Sequence, residues 1–432
     1  MSVIPGKSTD PRDALAEGAL LANDAPAPSL RSLGLRKLLV TLPLAIASFT
    51  LFWGAVQSIL IPLQVQAIDP AAKTSALSLI VGIGAISSMI AAPIAGTLTD
   101  RTRTRIGGRA PWMIAGALAT VVLSVALGFA TTIPLIVILF VGIQFTTNLI
   151  LTPISAYIPD RVPAVKRGVF SSAYGAAQVV GGVVGQTLGA VFAIALPVGY
   201  VVVAVILAAL VLLFALSNKR SNVGEPRSPI SLRGILSTFW VSPVAHPDFA
   251  LAFFGRFLLF VGYYPLQTFL LYLLQDYIGL HGGAVAAVPT LGLATLVGTL
   301  VGSVGGGLIA QRIGRTKPVI YVATALLVAG LVLPLAWPTL TAMIAYSVLT
   351  GLGVGTYISV DLMLITLVLP SAEQAGKDLG IINITTTLPQ TIGVVIGAAA
   401  IGIAGTYAAL LPIAIVAAVL GAVLLAFIRS VK

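Results

Sequence analysis

The chain has 432 residues, 58% of them hydrophobic and only 9% charged, with no cysteine and a net charge of +11. A soluble domain carries about 25% charged residues, so this composition argues against a soluble enzyme or a nucleic-acid-binding protein despite the basic balance. Without cysteine there are no disulfides or thiolate metal sites, and two histidines, His246 and His281, do not make a His-built metal centre.

Residues 1–37 are polar, hold Pro5, Pro11, Pro26 and Pro28, and contain no long apolar run. They read as a disordered tail rather than a signal peptide. A membrane-spanning helix needs roughly 20 apolar residues. Apolar runs predict twelve of them, at 38–62, 75–98, 112–130, 133–158, 168–191, 197–216, 249–274, 284–310, 318–335, 339–369, 380–404 and 407–428. Pro153 interrupts the fourth run, and the tenth is long enough to be tilted or bent.

Orientation follows from the basic residues. With both termini cytoplasmic, the inside segments hold Arg36 and Lys37, then Arg101, Arg103, Arg105 and Arg109, then Arg161, Lys166 and Arg167. Lys219, Arg220, Arg227 and Arg233 fall in the central loop, and Arg312, Arg315, Lys317, Lys377, Arg429 and Lys432 follow in later inside segments. Of the basic residues, only Lys73 is left outside, and only Arg256 inside a helix. Shifting the count by one helix would scatter these charges over both sides. The expected location is the cytoplasmic membrane, with anionic lipid at the inner face aiding retention of the basic loops.

The chain divides into a tail (1–37), a six-helix bundle (38–216), a Pro-rich cytoplasmic linker (217–248) and a second six-helix bundle (249–432). An internal repeat supports the division. Gly96, Asp100 and Arg101 align with Gly307, Gln311 and Arg312 at an offset of 211, and Gln178, Gly181 and Gly185 align with Gln390, Gly393 and Gly397 at an offset of 212. The predicted fold class is an all-α membrane protein of twelve transmembrane helices in two pseudo-symmetric bundles.

The loop after the second helix carries Gly96, Asp100, Arg101, Arg103, Arg105, Gly107, Gly108, Arg109, Pro111 and Trp112. It resembles the signature loop of the major facilitator superfamily, and its alternating Arg-Thr form resembles the glycoside-pentoside-hexuronide and sucrose-type sugar symporter branch. Pro159, Asp160, Arg161, Pro163, Arg167 and Gly168 stand where the superfamily has its loop after the fourth helix. The physical reading is a gate: Asp100 can accept hydrogen bonds from Arg101 or Arg105 or face a helix N-terminus, in a cluster that forms in one conformer and breaks in another. The alternative is a basic loop that only enforces orientation.

Polarity differs among the helices. The sixth and twelfth have almost no strong hydrogen-bonding side chains, whereas Trp53, Gln57 and Gln64 share a face of the first, Gln144 and Asn148 of the fourth, Arg256, Tyr263 and Gln267 of the seventh, and Tyr357 and Asp361 of the tenth. The resemblance implies that these four line a central cavity and that the third, sixth, ninth and twelfth face lipid. Polar groups at membrane depth need partners or a wet cavity, so the same residues can instead be glue between helices. Gln178 and Gln390 hold matching mid-helix positions and either contact substrate or pair across the halves. Asp378 is placed as an N-cap near Asn383.

Arg256 and Asp361 are the only charges well inside apolar helices, each roughly 10–12 Å from the inner end at 1.5 Å per residue. An ion pair between them is expected, with Asp361 taking and releasing a proton while Arg256 modulates it or holds substrate; the alternative is a fixed pair that joins two helices. Gly181, Gly185 and Gly189 form a close-packing ridge, and Gln186 and Ala190 replace the Pro and final Gly of the drug-antiporter pattern. Residues 75–98 have no Asp or Glu where melibiose-type members bind their coupling cation, and no Walker motif is present.

These features lead to a secondary transporter that takes up a small sugar or glycoside with protons, without cofactor, enzymatic activity or nucleic-acid partner, acting in the bilayer as a monomer. The alternative is a proton-driven exporter of a small amphipathic metabolite or drug, since Trp53, Tyr263 and Tyr264 can stack on either.

Overall fold

A computed structural model describes residues 35–163, 166–219, 221–223, 247–368 and 375–428, with the side chains of 362–387 outside that description. The tail to residue 34, most of the linker, and the side chains of Asp378 and Asn383 therefore lie outside the described residues. Twelve long helices make up the described chain: α1 Leu35–Ile68, α2 Lys73–Arg101, α3 Ala110–Gly128, α4 Ile133–Ser155, α5 Arg167–Val191, α6 Leu196–Ser217, α7 Pro247–Thr268, α8 Ala284–Ile313, α9 Lys317–Ala336, α10 Leu340–Val368, α11 Ala375–Ala404 and α12 Leu410–Ala426.

Ten described helices are long and apolar enough to cross a membrane, and Leu388–Ala404 of α11 is a shorter apolar stretch. Helix α5 is not among the ten because glycines at 168, 175, 181, 182, 185 and 189, with Gln178 and Gln186, dilute its apolar content. Proline sets several starts. Pro111, Pro134, Pro197 and Pro318 occupy the first turn of α3, α4, α6 and α9, where a missing N–H costs nothing. Helix α8 stops at Gly314, whose φ of +64° forms the left-handed cap.

The Pro153 interruption falls slightly later than expected. Helix α4 runs through the buried Pro153 to Ser155, pauses at Ala156 and resumes as the short turn Tyr157–Arg161. In α1, Pro62 has no N–H to offer the Ser58 carbonyl, and the chain passes through a π-turn at Val56–Leu60 just before it. The 29 residues of α10 form one unbroken helix. At about 43 Å it exceeds a hydrocarbon core of about 30 Å, which tilting accommodates.

The packing pattern repeats with a shift of six helices. Helix α1 packs on α5 and α6, α2 on α4, and α3 on α4 and α6; correspondingly α7 packs on α11 and α12, α8 on α10, and α9 on α10 and α12. The two bundles meet where α2 touches α11 and where α8 touches α5, contacts that the same shift exchanges.

Within each bundle the helices meet backbone to backbone. A Cβ at Gly181 or Gly185 of α5 would strike the carbonyls of Ala47 and Leu51 on α1. Their repeat mates on α11 do the same to α7: a Cβ at Gly393 would lie 2.6 Å from Val261 O, and one at Gly397 2.7 Å from Pro265 Cβ. The Val261 carbonyl is the one that Pro265, lacking an N–H, leaves without its helical donor. Gly185→Ala should therefore cost about 1–3 kcal/mol by overpacking. Gly175→Ala on the same helix, where the methyl meets open space, should be neutral or stabilising by up to about 1 kcal/mol. Thermal unfolding in detergent checks both: a lower Tm for the first and an unchanged or higher Tm for the second.

Candidate functional site

A cavity of about 210 Å³ lies at the joint between the halves, walled by α5, α7, α8 and α10. It brings together three of the sequence-predicted residues, Gln178 of α5 and Tyr263 and Gln267 of α7. The Gln267 amide donates to Tyr263 Oη at 2.7 Å, which fixes the two side chains relative to each other. Gln186 of α5, Thr295 of α8 and Tyr346, Ser347 and Thr350 of α10 complete the polar lining, and none of the described lining side chains is charged. Gln186 Oε1 is buried and has no hydrogen-bond partner among the described residues. It reaches across the joint to α8, where a Cβ on Gly292 would collide with it. A buried acceptor without a donor is costly, so this oxygen is a place where a solute hydroxyl or N–H gains more than it would in water.

The other predicted polar residues divide differently. Trp53 is half-buried and packs edge-on against Phe52 and Phe140, with ring centroids 5.4 and 5.6 Å away. Gln57 sits half-buried in the π-turn of α1. Gln144 is half-buried on α4, and its carbonyl takes a 2.7 Å bond from Asn148, whose amide also donates to Ser88 Oγ of α2 at 2.9 Å. Asn148 thus joins two helices of one bundle. Gln64 does the same more completely: its Nε2 donates to Leu127 O at 2.8 Å and Ala130 O at 2.9 Å, and its Oε1 accepts from Tyr200 Oη at 2.7 Å. Gln390 is half-buried on α11 and is not among the residues lining the cavity that its repeat mate Gln178 lines.

Arg256 of α7 and Asp361 of α10 form the expected ion pair, hydrogen-bonded from Nη1 to Oδ2. Their side chains are 16% and 5% exposed. The guanidinium also lies over the Phe260 ring, 5.4 Å from its centroid. Tyr357 is buried one turn before Asp361 on α10. Arg256 precedes Tyr263 by two turns of α7, about 10 Å, so the pair sits apart from the cavity on the side of the basic loops.

The signature loop forms a second cavity, about 560 Å³, at the basic end, lined among others by Asp100, Arg103, Arg109, Asp160, Arg161 and Asn222. Its ion pair differs from the expected one: Arg109 binds Asp160, from the loop after α4. Arg101 and Arg105 are exposed, and Asp100 receives instead a 2.5 Å bond from Arg103 Nη1 at its backbone carbonyl. Arg109 and Arg161 both lie over the Tyr157 ring, at 5.5 and 4.8 Å. Gly107 turns the chain at φ +100°. Gly108 is walled in: a Cβ there would sit 2.6 Å from both Thr99 O and Thr102 O. Gly96 is less constrained, since a Cβ would meet Thr152 Cγ2 at an ordinary 3.8 Å. Arg312, the repeat mate of Arg101, is exposed.

Asn222 was not visible as a participant from the sequence. Its side chain accepts from Thr104 N at 3.1 Å and donates to Thr102 O at 2.9 Å, so the start of the linker is fastened to the signature loop. Its partners are backbone groups over a hundred residues away, and its own neighbourhood carries no motif. Thr295, Ser347 and Thr350 escaped notice for a related reason: a lone hydroxyl in a helix usually bonds its own backbone, as Thr350 does to Tyr346 O at 2.7 Å.

The model of the Major Facilitator Superfamily matches residues 38–335 and 297–432. Among solved structures, a bacterial homolog to the human lysosomal transporter Spinster, in an inward-facing and unoccupied conformation, superposes with a TM-score of 0.65 at 15% identity, over 93% of this chain and 96% of that one. The nucleoside transporter NupG superposes with a TM-score of 0.67 at 15% identity, over 89% and 97%, and its D323A mutant with 0.71 at 13% identity, over 90% and 100%. At these identities the likeness is one of fold. No curated protein matches the chain.

Removing one partner of a buried ion pair leaves an uncompensated charge, at about 3–5 kcal/mol. Arg256→Met should therefore lower Tm in detergent substantially, and Arg256→Met combined with Asp361→Asn should regain most of the loss. If the double variant is as unstable as the sum of the singles, the two side chains do not act as a pair.

Proposed function

The chain belongs to the major facilitator superfamily and is a transporter, and from that premise we propose that it carries a neutral, hydroxyl-rich solute such as a sugar or glycoside, inward, together with protons. The observation that carries this reading is the uncharged lining of the cavity at the joint. Amides, hydroxyls and phenols offer donors and acceptors on every wall, and a charged solute would have no counter-ion there. Its volume, about 210 Å³, suits one sugar-sized ring. NupG, which shares the fold, is a transporter of nucleosides, and a nucleoside is likewise a neutral polyol on a ring.

We assign the substrate contacts first to Gln178, Gln186, Tyr263 and Gln267. Gln186 Oε1 awaits a donor, and the Tyr263–Gln267 bond presents a preorganised pair from the other half. Trp53, Gln57, Gln144, Tyr357 and Gln390 belong to later stages of the path, and Asn148 to the scaffold. Contacts from both halves make binding sensitive to their separation, which is what alternating access requires.

Proton coupling is assigned to Asp361. Protonating its carboxyl removes the charge that holds Arg256 and frees the guanidinium for another acceptor, so two states of the pair exist for substrate and proton to bias. The basic end is taken as cytoplasmic, on the charge rule. The loop cluster of Arg109, Asp160 and Asn222 acts at that end as a brace of the first bundle, with Asp100 at its rim. The working unit is one chain in the cytoplasmic membrane.

Counterflow in proteoliposomes tests the proposal, with labelled sugars, glycosides and nucleosides, with and without a pH gradient. One neutral polyol should exchange, and an inward proton gradient should drive its accumulation. Asp361→Asn should retain exchange and lose gradient-driven accumulation; unchanged accumulation in that variant sinks the coupling role. Absence of any polyol exchange, with protection of cells from toxic hydrophobic compounds, favours export of an amphipathic compound instead.

A further inference from the structure

Lys73 is the one basic residue that the charge pattern leaves at the far end from the basic loops. It opens α2, where the positive end of the helix dipole disfavours a cation. The structure supplies its counterpart from the other half of the molecule. Lys73 Nζ lies 2.6 Å from Asp276 Oδ2, in the π-turn Leu273–Tyr277 that follows α7. The Lys73 side chain is 14% exposed and that of Asp276 41%. It stands 4.8 Å from the centre of the Tyr272 ring and 6.0 Å from that of Tyr407, both in the second half.

Two further bonds cross at the same place. Tyr407 Oη and Thr74 Oγ1 of α2 are 2.6 Å apart, and Tyr272 Oη donates to Pro62 O of α1 at 2.7 Å. The polar contacts of Arg109, Arg161, Asn222 and Lys317 at the basic end, by contrast, each stay within one half: Arg109 with Asp160, Arg161 with Asn218 O, Asn222 with Thr102 and Thr104, and Lys317 with Ile428 O. The two described glycines that face the opposite bundle follow the same bias. Gly82 meets Val395, and Gly292 meets Gln186, and all four residues lie in the helix halves toward the Lys73 end.

We propose that Lys73 and Asp276 are the latch that holds the two halves together at the end opposite the basic loops, so that their separation is required for the cavity to open on that side. The rings of Tyr272 and Tyr407 flank the Lys73 ammonium and add cation–π attraction to its ion pair with the exposed Asp276. Lys73 is thus a positioning residue for transport: it touches no solute and sets the balance between the two access states. The inference is independent of which solute is carried and of proton coupling.

The chain contains no cysteine, so spin labels are placed without background. Labels on Ser75→Cys and Ala404→Cys, exposed positions on α2 and α11 at the latched end, report the gap as a distance distribution from electron–electron resonance in full-length protein in nanodiscs. The parent should show one dominant short distance. Lys73→Gln and Asp276→Asn should each raise the long-to-short population ratio, by roughly three- to tenfold. The exchange Lys73→Asp with Asp276→Lys should restore the short distance, and Tm should change little in all three. A parent-like distribution in both neutralised variants overturns the proposal. So does a charge exchange that keeps the parent Tm but stays open.

Discussion

Helices in hydrocarbon gain little by hiding apolar side chains from one another, because lipid tails are as apolar as leucine. What holds them is close approach, and this protein obtains it with glycine seams. The α1–α5 seam uses Gly181, Gly185 and Gly189, and the α7–α11 seam uses Gly393 and Gly397. The α8–α10 seam is doubly small: Gly298 and Gly302 meet Val348 O and Leu352 O, while Gly351 and Gly355 meet Thr295 O and Thr299 O. The neighbour is backbone, which cannot step aside, except at Gly397, which meets the rigid Pro265 ring. The joint between the halves is built otherwise. Gly82 meets a valine side chain at 3.8 Å, and Gly292 meets the far end of a glutamine. Side-chain contacts part at lower cost than backbone seams, so two stiff bundles separated by a yielding joint follow from where the small residues are placed.

The same division sorts the polar side chains. Inside a bundle, several polar side chains are satisfied by partners that move with them: Gln64 with Tyr200 and two carbonyls, Asn148 with Ser88, and Thr120 with Thr146 at 2.8 Å. At the joint, Gln186 Oε1 is left over. A group whose partner would have to come from the opposite bundle keeps no fixed partner through a cycle of rocking, which sets Gln186 apart from Ser124 and Thr316, whose buried hydroxyls lie away from the cavity and lack partners among the described residues. Residue type does not separate scaffold from joint, since both sets are glutamines, hydroxyls and tyrosines; position between the bundles does.

That is also the limit of what could be read from the sequence. Helix number, the repeat and the buried pair were legible, because each depends on a one-dimensional property: apolar length, offset or depth along a helix. The seam glycines were legible for the same reason, since the spacing of Gly181, Gly185 and Gly189 puts them on one face. The fate of each amide was not. Gln64 shares a face with Trp53, yet it turns to Tyr200 of α6, and that neighbour is fixed by packing 136 residues away. Gln178 and Gln390 are equivalent in the repeat but only Gln178 lines the cavity, because one arrangement of two halves need not be symmetric. The loop carboxylates exchanged roles in a similar way. Asp160 pairs with Arg109, while Arg101 and Arg105, expected at Asp100, are exposed; which carboxylate is within reach is set by how α4 ends rather than by adjacency in the chain.

Among the described residues, two ion pairs lie away from the basic loops, and they are placed differently. Arg256 and Asp361 both belong to the second bundle, whereas Lys73 and Asp276 belong to different ones. A rocking motion of rigid halves must break the second pair and leaves the first intact. The Arg256–Asp361 pair therefore cannot be opened by the rocking itself; only a change within the second bundle, a proton on the carboxyl or a shift of α7, can do that. Helix α7 has the means. It carries Tyr263 and Gln267 at the cavity, two turns from Arg256, and Pro265 beside them weakens its backbone ladder before the bend at Phe269. A solute held as proposed by Tyr263 and Gln267 would pull on the helix that holds the guanidinium. On the proposed function, coupling between solute and Asp361 would run along one helix inside one bundle, and the joint between the halves would read out the result.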